Sequence, residues 1–146
     1  MTKRSFVRVA TLTSVLMLAL AVITGSLPLA AQAQLCTYRC GSNQIRFEPA
    51  QPITIKFINH TNNLITLERV LDIDKYWLRP QSEYAIQTLV GADRDMSMVF
   101  WNDQNRAISA VLHRPDAATL LIEFLPSAAD SDRAVHIVND GRVLVY

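Results

Sequence analysis

From Pro52 onward, apolar and polar side chains take turns one at a time along most of the chain. Ile53, Ile55 and Phe57 alternate with Thr54 and Lys56, the pattern of a strand with one dry and one wet face. After the polar cluster at 59–63, Ile65 and Leu67 alternate with Thr66 and Glu68, which predicts a hairpin with the strand before it. Residues 76–79 read as extended up to Pro80, and Tyr84, Ile86 and Thr88 open the next strand. The apolar run at 96–101 stops at Asn102-Asp103-Gln104-Asn105. Ile108, Ala110 and Leu112 form another alternating set, ended by the break Arg114-Pro115-Asp116, and 119–125 follow. Val135 and Ile137 lead into Asp140-Gly141, a strong two-residue hairpin signal, and 143–146 return.

Eight or nine short strands with turns every 8–12 residues predict an all-β fold, a single antiparallel β-sandwich. No apolar stripe of helical period longer than two turns follows the first 33 residues. Asp116-Ala117-Ala118 has room for one helical turn. There is no internal repeat and no second-domain linker, so 34–146 is expected to be one domain.

The first 33 residues have a different pattern. Lys3, Arg4 and Arg8 precede an apolar stretch over 9–23, Gly25 and Pro28 break it, and Ala31-Gln32-Ala33 supplies small residues for cleavage. That order is a helical secretory signal peptide, with cleavage expected after Ala33 and a periplasmic or secreted destination. The alternative is an uncleaved anchor over residues 9–33, the one route by which the membrane becomes a partner. Cys36 is poorly placed for lipidation because Leu35 stands directly before it.

Removing the leader changes the charge. It holds three of the fourteen basic residues and no acidic one, so the rest carries eleven basic against thirteen acidic residues. A net charge of −2 on that remainder argues against nucleic acid as a partner.

Cys36 and Cys40 are the two cysteines, with three residues between them. In an oxidising compartment they are expected to form a small local disulfide. The spacing is not that of a thioredoxin-like pair, and no second pair completes a zinc site.

Phe47-Glu48-Pro49, the strand at 53–59 and His60 together resemble the opening of secreted β-sandwich domains of the cupredoxin-like and immunoglobulin-like kinds. That resemblance implies a sandwich without copper ligands, since no cysteine follows Cys40. Met96 and Met98 share one strand face and, with His113, form the alternative of a periplasmic copper-handling site; core filling is the plainer reading. His60, His113 and His136 are candidate bases, but no Gly-x-Ser-x-Gly elbow accompanies them. Tyr76, Trp77 and Trp101 are the candidate interface residues, and adjacent Tyr76 and Trp77 should point to opposite faces. The expectation is therefore a non-enzymatic, cofactor-free module that binds another envelope or secreted protein.

Overall fold

The computed structural model describes residues 39–41, 44–91 and 95–146, and the leader and Cys36 lie outside them. Among the described residues the fold is all-β, with nine strands in two sheets and no helix. The strands are β1 (Pro52–Asn59), β2 (Ile65–Arg69), β3 (Lys75–Leu78), β4 (Glu83–Leu89), β5 (Met96–Asn102), β6 (Ile108–Asp116), β7 (Thr119–Pro126), β8 (Ala134–Ile137) and β9 (Val143–Val145). One sheet has the order β4-β1-β7-β6 and the other β3-β2-β5-β8-β9. Every pairing is antiparallel except β1 with β7, which run parallel. Parallel neighbours need a long connection, and here it spans β2 to β6 and passes through both sheets.

The alternation has the expected consequence. Ile53, Ile55 and Phe57 from β1, Leu120, Ile122 and Phe124 from β7, and Ile65, Leu67 and Phe100 from the other sheet are all buried. Phe100 and Phe124 meet across the two layers with ring centroids 4.7 Å apart, and Phe57 lies 6.1 Å from Phe124 within its own sheet. Rings of this size dominate a core: deleting one costs about 3–5 kcal/mol.

The hairpin expected between the first two strands does not form. β1 pairs with β4 and β7, whereas β2 pairs with β3 and β5 in the other sheet. The chain crosses between the layers at Asn59, which is 0% exposed. Its Nδ2 donates to the carbonyls of Asn63 (2.8 Å) and Leu78 (3.0 Å). Its Oδ1 accepts from the backbone N–H of Thr61 (2.9 Å) and from the Thr61 hydroxyl (2.7 Å). A buried amide satisfied on both sides fixes the crossing; period-two alternation carries no information about which layer a strand joins.

Two smaller expectations also change. Arg114-Pro115-Asp116 does not end a strand; β6 runs through it with a register shift between His113 and Asp116, and an edge strand tolerates proline at such an irregularity. No helical turn forms after it: Ala117 and Ala118 make the β6–β7 turn, with Asp116 Oδ1 accepting the Ala118 N–H at 2.8 Å.

Residues 39–41 and 44–47 form a strap along one side of the sandwich. Cys40 donates its N–H to the Leu112 carbonyl on β6 (2.8 Å). At its other end Arg46 pairs with Arg142, Phe47 N–H donates to Gly141 O (2.9 Å) and Val143 N–H to Ile45 O (3.0 Å). The outer edges of β6 and β9 are thus engaged. Among the described residues no strand pairs with the outer edge of β3 or of β4.

Candidate functional site

The bare edges β3 and β4 face each other at the flank opposite the strap. Tyr76 points inward and stacks on Tyr84 of β4, ring centroids 3.6 Å apart and 13° from parallel. Trp77 points the other way and is 60% exposed, so the neighbouring aromatics occupy opposite faces. Beside the tyrosine stack lies a cavity of about 500 Å³, with Leu67, Ile86 and Met98 among its apolar lining and Arg69, Asp74 and Lys75 among its charged groups.

The β2–β3 turn borders this cavity and is unusually apolar at its tip. Leu71 is 80% and Ile73 95% exposed. Leu71 also has a left-handed backbone, φ +73°, a conformation disfavoured for an L side chain by about 1–2 kcal/mol. Flanking charges tie the turn down: Arg69 Nη1 lies 3.8 Å from Asp72 Oδ2, and Lys75 Nζ lies 3.1 Å from Glu68 Oε2. On the outward face, Trp77 and Trp101 stand on either side of Thr66 in register and leave it buried. Lys75 Nζ sits 5.5 Å above the Trp101 ring, a cation–π contact.

Two histidine groups form elsewhere. On the outward face of the four-stranded sheet, Glu123 of β7 bridges His60 and His113, with Oε1 3.0 Å from His60 Nε2 and Oε2 2.6 Å from His113 Nε2. Arg39 N–H donates to His113 Nδ1 at 3.2 Å. A ring nitrogen that accepts has no proton, so Nε2 carries it and donates to Glu123. That tautomer gives Nε2 no lone pair for a metal. Burial pulls the Glu123 carboxyl upward, but the bonds from His60 and His113 outweigh it and hold its pKa below 4.5.

His113 is also remote from the methionine pair. Met96 and Met98 pack on the inner face of the five-stranded sheet, whereas His113 belongs to the other sheet and turns outward to Glu123. The arrangement does not bring the three together, and Met98 is core. Among the described residues no group of three or more His, Cys, Asp or Glu is disposed to hold a metal ion.

The second group was not visible in the sequence. Ser97 and His136 are cross-strand partners on β5 and β8, with Ser97 Oγ 2.5 Å from His136 Nδ1. His136 Nε2 lies 3.3 Å from Asp95 Oδ2, and Asp95 Oδ1 accepts the Asn139 N–H at 2.8 Å. Alternation alone predicts that Ser97 and His136 each face outward; strand register is what joins them.

Comparison with protein-family models, curated proteins and solved structures finds no match for this chain. None of these comparisons identifies a cupredoxin-like or immunoglobulin-like relationship. No cysteine among the described residues is free, and the Cys36 half of the expected disulfide lies outside them. No helix among the described residues is long and apolar enough to cross a membrane.

Proposed function

We propose that the chain is an exported β-sandwich interaction module that binds another envelope or secreted protein at the β3–β4 flank. The observation that carries this reading is the concentration of exposed apolar side chains at the two unpaired edges. Leu71 and Ile73 at the β2–β3 turn and Trp77 on β3 are exposed, next to a cavity lined by apolar Leu67, Ile86 and Met98 and by charged Arg69, Asp74 and Lys75, while the opposite edges are engaged by the strap. A rigid sandwich that presents an aromatic anchor and a bare strand edge offers a partner both side-chain pockets and backbone hydrogen bonds. Burying Leu71 or Ile73 contributes about 1.5–3 kcal/mol each to such a complex. The leader at 1–33 and the cysteine pair Cys36 and Cys40 support an oxidising compartment as the place of action.

The test is site-specific photo-crosslinking of the full chain in the cells that make it. Crosslinkers at Ile73 and Trp77 should capture the same protein, and one at Lys56, exposed on the four-stranded sheet, should not. Leu71→Asp should abolish capture at Ile73 and Trp77. Equal capture at all three positions, or capture indifferent to Leu71→Asp, would overturn the reading.

A further inference from the structure

The Ser97 group lies on the outward face of the five-stranded sheet, on β5 and β8 rather than at the β3–β4 edge, and its chemistry does not depend on a partner at the flank. We propose that Ser97 is a base-activated nucleophile that takes the acyl group of small apolar esters. Asp95 Oδ2 lies 3.3 Å from His136 Nε2, an ion-pair contact that favours the tautomer with its proton on Nε2 and leaves Nδ1, 2.5 Å from Ser97 Oγ, as the basic nitrogen. This is the serine–histidine–carboxylate relation with the two ring nitrogens exchanged. Asp95 is itself held by the Asn139 N–H from the β8–β9 turn (2.8 Å), so the carboxylate is placed independently of the histidine.

The surroundings define the substrate class. Val70 N–H donates to Ser97 O at 2.9 Å, which continues the strand pairing and sets Val70 beside Ser97. Leu144 pairs with His136 on the other side. The outward row therefore runs Val70, Ser97, His136, Leu144: a nucleophile and its base between two aliphatic side chains, with no cationic side chain in the row. That order suits a short neutral acyl chain.

The chemistry balances with ester and water alone. An Oγ lone pair attacks the carbonyl carbon as Nδ1 takes the hydroxyl proton. The tetrahedral oxyanion collapses, the bond to the leaving oxygen breaks, and the imidazolium returns the proton to that oxygen. The products are acyl-Ser97 and the free alcohol. Water, deprotonated by the same nitrogen, then releases the carboxylic acid and regenerates the serine.

The full chain treated with p-nitrophenyl butyrate or an alkyl fluorophosphonate should carry its adduct at Ser97, located by peptide mass spectrometry. General-base assistance contributes about 10²–10⁴-fold, so Ser97 should react at least about 10²-fold faster than the half-buried Ser127, which has no histidine partner among its hydrogen bonds, in the same sample. Ser97→Ala should remove the adduct, and His136→Gln should slow it by about the same 10². Should His136→Gln fail to fold, Asp95→Asn keeps the shape of the carboxylate and should still slow labelling about 10-fold. Labelling spread evenly over serines, or a Ser97 rate unchanged in a folded His136→Gln or Asp95→Asn protein, would overturn the proposal.

Discussion

Gly141→Ala probes the attachment of the strap more sharply than any core truncation. Gly141 turns the chain between β8 and β9 with φ +86°. A Cβ built there would lie 1.8 Å from the Phe47 carbonyl oxygen and 2.7 Å from its carbon. Both obstacles are backbone, so the strap itself must move by more than about 1 Å to reach ordinary van der Waals distance. Three costs combine. A left-handed backbone disfavours alanine by about 1–2 kcal/mol. Moving the strap breaks the bond from Phe47 N–H to Gly141 O (2.9 Å), about 1 kcal/mol. It also loosens the Phe47 ring, which is buried and has the Arg114 guanidinium 4.7 Å above it, and even partial unpacking of a phenylalanine costs about 1 kcal/mol or more.

The expected loss is thus at least about 3 kcal/mol, a large share of the about 5–15 kcal/mol that holds a small domain folded. In urea unfolding this lowers the midpoint by about 1–3 M. The other glycines calibrate the reasoning. Gly91 has φ +68°, and a Cβ there would lie 2.7 Å from Asn139 O, so Gly91→Ala should cost about 1–2 kcal/mol. Gly41 has no left-handed angle and meets the Gln44 side chain at 3.4 Å, so Gly41→Ala should stay within about 0.5 kcal/mol of the parent. If Gly141→Ala unfolds within about 1 kcal/mol of the parent, the strap is not docked on the β8–β9 turn as described.

Asn59→Asp should destabilise by about 3 kcal/mol or more, because a carboxylate cannot donate to Asn63 O and Leu78 O and is charged in a dry site; urea unfolding checks it, and near-neutrality would refute the crossing. Glu123→Gln should flatten the acid limb of stability. The folded Glu123 pKa is below 4.5, so the unfolded chain takes up the proton first, and the stabilisation is full above 4.5 and lost as pH falls through the lower folded value. The gap between parent and Glu123→Gln should accordingly be constant above that pH and close below it; a gap that widens in acid would refute the bridge. Leu71→Gly should raise stability by up to about 1 kcal/mol, since glycine accepts φ +73° without strain, while lowering partner capture at the flank.

Strand existence was legible because burial of one face imposes period two, and β1, β4, β7 and β8 carry it almost unbroken. The β8–β9 hairpin was legible because Asp140-Gly141 supplies the left-handed residue its turn requires. Layer assignment was not. The sequence at 59–63 has the composition of a hairpin turn, and its role as a crossing depends on Asn59 meeting Leu78, nineteen residues away. The parallel β1–β7 pair and the Ser97–His136 contact are invisible for the same reason, since each joins positions related only by register. Tyr76 and Trp77 were legible as a pair because adjacent strand residues must face opposite ways. The tyrosine stack across the flank was not, because Tyr84 arrives from the other sheet.

A two-layer sandwich has four sheet edges, and bare edges invite unwanted pairing. Here the strap engages two of them with one short segment. The remaining pair carries some conventional protection: β3 has only four residues, begins with Lys75 and is followed shortly by Pro80. Beside it, however, the chain keeps Leu71 and Ile73 in water and holds Leu71 in a strained backbone. Neither side chain belongs to the buried core, so folding gains nothing from their apolar character. Polar residues or glycine would serve the turn better. An apolar, strained tip beside an unpaired edge is the physical ground on which the proposed contact is assigned to this flank rather than to the strapped side.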